Sequence, residues 1–100
     1  MYDMSDLEHL GAFGKGAPDA FKAFMDFNDQ ALKDGVIPKK YKELIAMAVA
    51  MTTQCPYCIT YHKNDAVAAG ATAEELAEAA MVSAVMSAWA SVTHRTHLAK

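Results

Sequence analysis

The sequence is poor in cysteine, and both of its cysteines lie in one short segment. Cys55 and Cys58 are the only thiols among 100 residues, so any thiol chemistry belongs to this segment. Zinc usually takes four protein ligands at a structural site, and there is no second cysteine pair to complete one. So few cysteines in a chain without a recognisable leader indicate a reducing cytoplasm, where a disulfide is more often catalytic than structural.

An excess of positive charge is also lacking. Nine Lys and Arg residues stand against twelve Asp and Glu residues, and the formal net charge is −3. The only lysine cluster, Lys39, Lys40 and Lys42, is interpreted as the solvated start of a helix. Without a basic stripe the phosphate backbone of a nucleic acid has no complementary surface, so we expect no nucleic-acid partner.

No signal peptide is recognisable in the sequence, and no long apolar run is uninterrupted. Residues 1–6 are acidic and lack the apolar stretch of a signal peptide. The longest apolar region, residues 76–92, is interrupted by Glu78 and three serines, which makes it a poor membrane span. We therefore expect a soluble, cytoplasmic protein with no membrane partner.

The alternation of apolar and polar residues that marks β-strands is lacking as well, and the long segments favour helix formers. Prolines at 18, 38 and 56 suit helix starts, and glycines at 35 and 70 suit helix ends. The sequence therefore predicts an all-α fold of a single domain, residues 1–100. The predicted elements are a short helix or turn within residues 1–16 and helices over residues 18–33, 38–53, 56–69 and 73–97.

Apolar residues are abundant at helical spacing. We expect two buried stripes, which are Phe21, Phe24, Met25 and Leu32 on the first long helix and Leu44, Met47, Ala48 and Met51 on the second. Trp89 on the last helix is interpreted as a core or interface residue. With 53% hydrophobic residues, the chain has more apolar side chains than one small core can hide, which predicts a homo-oligomer.

The segment around the two cysteines carries the chemistry. Cys55-x-x-Cys58 places two thiols within reach of one disulfide, and His62 follows Cys58 by one helical turn on the same face. Because the residue before a proline avoids helical geometry, the chain should break before Pro56 and place Cys55 near the N-cap of a new helix. A thiol with an imidazole one turn away is a redox arrangement.

Glu43 is the fourth member of this constellation. If the helices over residues 38–53 and 56–69 fold back on each other, Glu43 and His62 are offset by roughly 7 Å along the helix axes at 1.5 Å per residue. A carboxylate, a water and an imidazole could bridge that offset. The order inferred from these spacings is Glu43, water, His62, Cys58, Cys55.

These four residues, at these spacings, carry a resemblance. Together with Lys42-Glu43-Leu44-Ile45-Ala46, Ala69-Gly70-Ala71-Thr72 and Glu74-Glu75, the pattern resembles the alkylhydroperoxidase D-like branch of the carboxymuconolactone decarboxylase superfamily, over roughly residues 38–80. The resemblance implies an oligomeric helical bundle, a trimer or hexamer. The prototype has a histidine between the cysteines, where this chain has Tyr57.

The activity implied is that of a thiol-dependent peroxidase acting on alkyl hydroperoxides. Cys58 would attack the peroxide, Cys55 would resolve the product as a redox-active disulfide, and Glu43 and His62 would form the proton relay. No bound cofactor or metal is implied. The electron donor implied is an external dithiol reductant, in this family a lipoylated protein.

Other functions stay open on the sequence alone. The runner-up is general thiol–disulfide exchange without notable peroxidase activity. A metal site made of Cys55, Cys58 and His62 and a purely structural or interaction module are further alternatives. The cysteine pair argues against a lactone decarboxylase.

Overall fold

The protein is all-α, as predicted. The computed structural model describes residues 2–100, and over that range it has five α-helices, two 3-10 helices and no strand. The α-helices are α1 (Gly11–Gly16), α2 (Pro18–Leu32), α3 (Lys39–Thr53), α4 (Pro56–Ala68) and α5 (Ala73–His94); the 3-10 helices are Met4–Leu10 and Arg95–Ala99.

Local sequence signals explain most of these bounds. Pro56 occupies the first turn of α4, and Thr72 caps α5 with Glu75 in a reciprocal capping box. Gly70 separates the two helices at φ +100, a left-handed conformation that glycine adopts without strain. The helix predicted over residues 73–97 ends earlier, at His94, and continues as a 3-10 helix.

The N-terminal prediction of one short helix or turn was too simple. Met4–Leu10 is a 3-10 helix with an Asp3 cap, and α1 follows it directly. Met1 lies outside the described residues.

The core lies where α3 packs against α4 and α5. The buried apolar side chains are Leu44, Met47 and Ala50 of α3 and Ala66 of α4. Ser83 of α5 is buried too, and its hydroxyl donates a hydrogen bond of 2.8 Å to the carbonyl of Ala48. This contact satisfies a polar group in the core and ties α5 to α3.

The stripe predicted to be buried on α2 is not core. Phe24 is 61% exposed, Met25 is 37% exposed, and none of the residues of α2 is buried. The prediction was wrong because the apolar spacing identifies a face but not the element that covers it. Helix α2 touches α3 mainly near its end, where the Lys42 ammonium donates to the carbonyl of Ala31 at 3.0 Å.

The face of α5 that points away from α3 is apolar and open. Its exposed side chains include Met81, Val82, Met86 and Trp89, so Trp89 is not a core residue of the subunit. By length and composition alone, Ala73–Ala99 is apolar enough to cross a membrane, which is a weak sign because helices of soluble proteins can also meet this test.

Candidate active site

The junction between α3 and α4 presents the two cysteines. Gln54 adopts a left-handed conformation at φ 58 and turns the chain out of α3. Cys55 is then the N-cap of α4, and its sulfur accepts a hydrogen bond of 3.2 Å from the backbone N–H of Cys58. The two residues are joined by a disulfide across a Cα–Cα distance of 5.3 Å. The predicted cysteine pair therefore sits in the first turn of a helix, where the backbone N–H groups stabilise negative charge on sulfur.

One turn further along α4, His62 meets Glu43 of α3. The imidazole Nδ1 lies 2.7 Å from Oε2 of Glu43, and Glu43 is fully buried. A water was expected between these two residues from the sequence, but they are in direct hydrogen-bond contact. The spacing estimate compared helix axes alone, whereas a glutamate and an imidazole that point towards each other span the offset themselves.

Lys39 completes the surroundings of the buried carboxylate. Its ammonium lies 2.9 Å from Oε1 of Glu43, one helical turn earlier on α3. Burial raises the pKa of Glu43, but the hydrogen bonds from His62 and Lys39 outweigh it and hold that pKa below the ordinary value. The same hydrogen bond to Glu43 raises the pKa of Lys39. Glu43 is thus a carboxylate at neutral pH despite its burial.

An ionised Glu43 fixes the tautomer of His62. A carboxylate only accepts hydrogen bonds, so the imidazole donates from Nδ1. The other ring nitrogen, Nε2, is then free to accept a proton when the ring is neutral. This is the form a histidine needs in order to take a proton from a neighbouring thiol.

A second acidic group, Asp65, lies close to the Glu43–His62 pair. Ligand atoms of Glu43, His62 and Asp65 all lie within 4.8 Å of one another, a spacing at which three side chains could hold a metal ion. The metal alternative considered from sequence used both cysteines, which here form a disulfide. The Lys39 ammonium already provides a positive charge next to the Glu43 carboxylate, where a metal ion would otherwise bind.

Two cavities reach Cys58 and His62 from different sides. The first, called the aliphatic cavity, has a volume of about 420 Å³, and its other walls come from α2 and α3. The second, called the aromatic cavity, has a volume of about 330 Å³ and lies between the N-terminal 3-10 helix, α2 and α4. The apolar and aromatic side chains of their walls are Ala31, Leu32, Ile45, Ala46, Val49 and Ala50 in the first and Leu7, Leu10, Phe24, Met25, Tyr57 and Tyr61 in the second. Lys42 and Thr53 also line the first cavity, and Asn28 also lines the second.

Tyr57, between the two cysteines, points to the N-terminal segment. Its hydroxyl donates a hydrogen bond of 2.9 Å to Oδ2 of Asp6, and its ring packs edge-on against Tyr2 at 5.0 Å between centroids. The hydrogen bond to Asp6 raises the pKa of Tyr57. The Tyr57 hydroxyl is therefore engaged with Asp6 and takes no part in the Glu43–His62 hydrogen bond.

Of the four residues singled out from the sequence, Glu43 contacts His62 and Cys55 is bonded to Cys58, while Cys58 and His62 line the same two cavities. Sequence reasoning missed Lys39 and Asp65 as neighbours of this site, although each lies on the same helical face as a predicted residue. Lys39 precedes Glu43 by four positions and Asp65 follows His62 by three, which are the spacings of neighbouring side chains on a helix. The contact between Tyr57 and Asp6 joins residues 51 positions apart and left no local signal.

Comparison with known protein families gives one match over most of the chain. A model of the carboxymuconolactone decarboxylase family matches residues 18–100. The match covers α2 to α5, and with them Glu43, both cysteines and His62.

Two uncharacterised bacterial proteins are similar to this chain over much of its length. The chain is 40% identical to uncharacterized protein 4 in the cox locus of Paracoccus denitrificans, over 85% of this chain and 77% of that protein. It is 41% identical to an uncharacterised protein of Cupriavidus necator over 69% of this chain and 61% of that protein.

Two crystal structures have a similar fold. An apo carboxymuconolactone decarboxylase family protein from Legionella pneumophila superposes with a TM-score of 0.76 at 41% identity, over 80% of this chain and 71% of the other. A protein from Methanobacterium thermoautotrophicum gives a TM-score of 0.82 at 28% identity, over 90% and 98% of the two chains.

Proposed function

Since this chain belongs to the carboxymuconolactone decarboxylase family, we propose that its cysteine pair makes it a thiol-dependent peroxidase that reduces organic hydroperoxides. The observation that carries the proposal is the direct hydrogen bond between His62 and the buried Glu43, one turn from Cys58. A disulfide alone is common to many proteins. A cysteine pair with an oriented imidazole next to it has the parts that thiolate chemistry requires.

Activation of Cys58 comes first in this mechanism. An unperturbed thiol has a pKa of about 8.5 and is mostly protonated at neutral pH. His62 accepts the proton of Cys58 at Nε2, while Glu43 holds Nδ1–H and stabilises the imidazolium that forms. The N-terminus of α4 adds stabilisation for the thiolate.

The redox step then transfers one oxygen atom. The Cys58 thiolate attacks the terminal oxygen of the hydroperoxide, so an S–O bond forms and the O–O bond breaks. The alkoxide leaves as an alcohol with the proton from His62, and the sulfur becomes a sulfenic acid, oxidised by two electrons. The peroxide is reduced by the same two electrons.

Cys55 resolves the sulfenic acid. Its thiol attacks the Cys58 sulfur, water leaves, and the Cys55–Cys58 disulfide forms, which is the state of the pair in this structure. An external dithiol, for which a lipoylated protein is our candidate, reduces the disulfide by thiol–disulfide exchange. A cycle that depends on such a donor fits the reducing cytoplasm.

A second function is favoured by the position of Cys55. As the N-cap of α4, Cys55 lies where the helix dipole acts most strongly. If Cys55 were the more reactive thiol, the protein would work as a general thiol–disulfide oxidoreductase, and the histidine would have a lesser part.

Steady-state assays separate the two functions. The measurement is consumption of cumene hydroperoxide with dihydrolipoamide as electron donor, in the wild type and in Cys58→Ser and Cys55→Ser. A peroxidase loses turnover in both variants, but only Cys55→Ser still consumes one equivalent of peroxide. Reduction of a small disulfide substrate with no peroxide consumption by the wild type would favour the second function and contradict the first.

The same family membership supports an assembly of several subunits, a homotrimer or homohexamer. The apolar face of α5, with Met81 68% and Val82 60% exposed, is the surface we assign to the subunit contact. Sedimentation at micromolar concentration tests this assignment, and a monomer would contradict it.

A further inference from the structure

The N-terminal 3-10 helix forms one wall of the aromatic cavity. Leu7 and Leu10 face the same cavity as Cys58 and His62, although they lie about fifty positions away in the sequence. Neither leucine is buried, so little packing fixes where this wall lies.

A specific polar contact holds the wall in place. The Tyr57 hydroxyl donates to the Asp6 carboxylate at 2.9 Å, and Asp6 directly precedes Leu7. Oδ2 of Asp6 also accepts from the backbone N–H of Asp3 at 3.3 Å, so the carboxylate is fixed within its own helix. The packing of Tyr2 on the Tyr57 ring adds a second contact at the same point.

We propose that Tyr57 and Asp6 are specificity-determining residues, because their hydrogen bond holds the N-terminal 3-10 helix as an apolar wall beside Cys58 and so forms the binding site for the organic part of a hydroperoxide. This inference rests on the proposed function for its substrate. The wall itself, and its effect on any apolar molecule that approaches Cys58, do not depend on peroxidase activity.

The lining of the aromatic cavity selects the class of ligand. Besides the two leucines it includes Phe24 and Met25 of α2, which are exposed side chains and not part of the core. A volume of about 330 Å³ lies in the range of about 300–1,000 Å³ that is usual for sites of organic ligands. Hydrogen peroxide has no apolar part and gains nothing from such a wall, whereas an aryl or alkyl hydroperoxide buries its carbon atoms against it.

The test uses two cysteine reagents that share one reactive group. N-phenylmaleimide and N-methylmaleimide differ mainly in their apolar part, and their rate ratio on the reduced protein largely cancels any change in thiolate content. We expect the wild type to react faster with the phenyl reagent. Tyr57→Phe, which removes only the hydroxyl, should lower the phenyl-to-methyl ratio by about three- to tenfold, the factor that corresponds to one net hydrogen bond.

Matched variants make the result specific. Asp6→Ala should lower the ratio at least as far as Tyr57→Phe does, because it also removes the bond to the Asp3 N–H. The double variant should lower the ratio no further than Asp6→Ala alone, because both changes remove the contact between Tyr57 and Asp6. Tyr41→Phe on α3 and Glu8→Ala on the exposed side of the 3-10 helix should leave the ratio at the wild-type value.

The outcomes test the role of the Tyr57–Asp6 contact separately from the peroxidase reaction. A wild-type ratio in Tyr57→Phe, or effects of Tyr57→Phe and Asp6→Ala that simply add, would overturn the role of the contact, whatever the protein does with peroxides. If the ratio falls as expected, the KM for cumene hydroperoxide should rise relative to that for hydrogen peroxide in the same variants. Unchanged relative KM values would overturn the assignment of substrate class, and a wild type without peroxidase activity would instead count against the proposed function.

Discussion

The Nδ1 atom of His62 lies 2.7 Å from Oε2 of Glu43, so the imidazole beside the cysteine pair is oriented by a carboxylate that solvent does not reach. Each oxygen of that carboxylate has a different partner, since Oε1 is 2.9 Å from the Lys39 ammonium. The arrangement joins α3 to α4 through buried charge.

Loss of this pair should slow the reaction of Cys58 with hydroperoxide. General acid–base assistance typically contributes about 10²–10⁴-fold, so Glu43→Gln and His62→Ala should each cost about a hundredfold at neutral pH. The deficit should shrink at high pH, where the thiol ionises unaided. Stopped-flow peroxide consumption across pH measures both effects, and a deficit of equal size at every pH would contradict the relay.

Lys39 should act through Glu43. Without the ammonium, one of the two hydrogen bonds that offset burial is lost, so the pKa of Glu43 should rise in Lys39→Met. The acid limb of the pH–rate profile should then move to higher pH, and Lys39→Arg should move it back. Lys22→Met, which removes a lysine from an exposed ion pair on α2, serves as the control and should leave the profile unchanged. A profile that is identical in Lys39→Met and in the wild type would contradict the role of Lys39.

Glu43 should also make stability depend on pH. Its folded-state pKa is lowered from the ordinary 4.5, so its contribution is fully present above that pH and is lost as pH falls through the folded-state pKa. The ionisable groups around it are Lys39, His62 and Asp65. Denaturant unfolding between pH 7 and pH 3 should therefore show a weaker loss of stability with acid in Glu43→Gln than in the wild type. An equal loss in both would contradict this prediction.

The core between α3, α4 and α5 should be sensitive to volume. Met47 is 2% exposed, and Met47→Ala should lower the free energy of unfolding by about 2–5 kcal/mol because it leaves a cavity. Met47→Leu keeps the volume and should cost less than about 1.5 kcal/mol. Chemical denaturation measures both, and similar costs for the two variants would mean that Met47 is not part of a closely packed core.

Part of this structure could be predicted from the sequence because its signals are local. Pro56 at a helix start, the Thr72–Glu75 capping box and the spacing from Cys58 to His62 depend on residues within one or two turns of each other. The pairing of Glu43 with His62 followed from a single assumption, that two consecutive helices fold back on each other.

The errors concern contacts that local patterns do not encode. The apolar face of α2 was expected to be core, but Phe24 is exposed and lines the aromatic cavity together with Cys58. The contact between Tyr57 and Asp6 joins segments 51 positions apart. No pattern in the sequence around Tyr57 or Asp6 would predict this contact.

The most direct test of the central claim compares the two cysteines. Reduced Cys55→Ser and Cys58→Ser each receive one equivalent of cumene hydroperoxide, and mass spectrometry follows the remaining cysteine in each. The account predicts that Cys58 in Cys55→Ser is oxidised rapidly and accumulates as a sulfenic acid, since nothing resolves it, while Cys55 in Cys58→Ser reacts far more slowly. Faster oxidation of Cys55 than of Cys58 would contradict it, because the helix N-terminus would then outweigh His62.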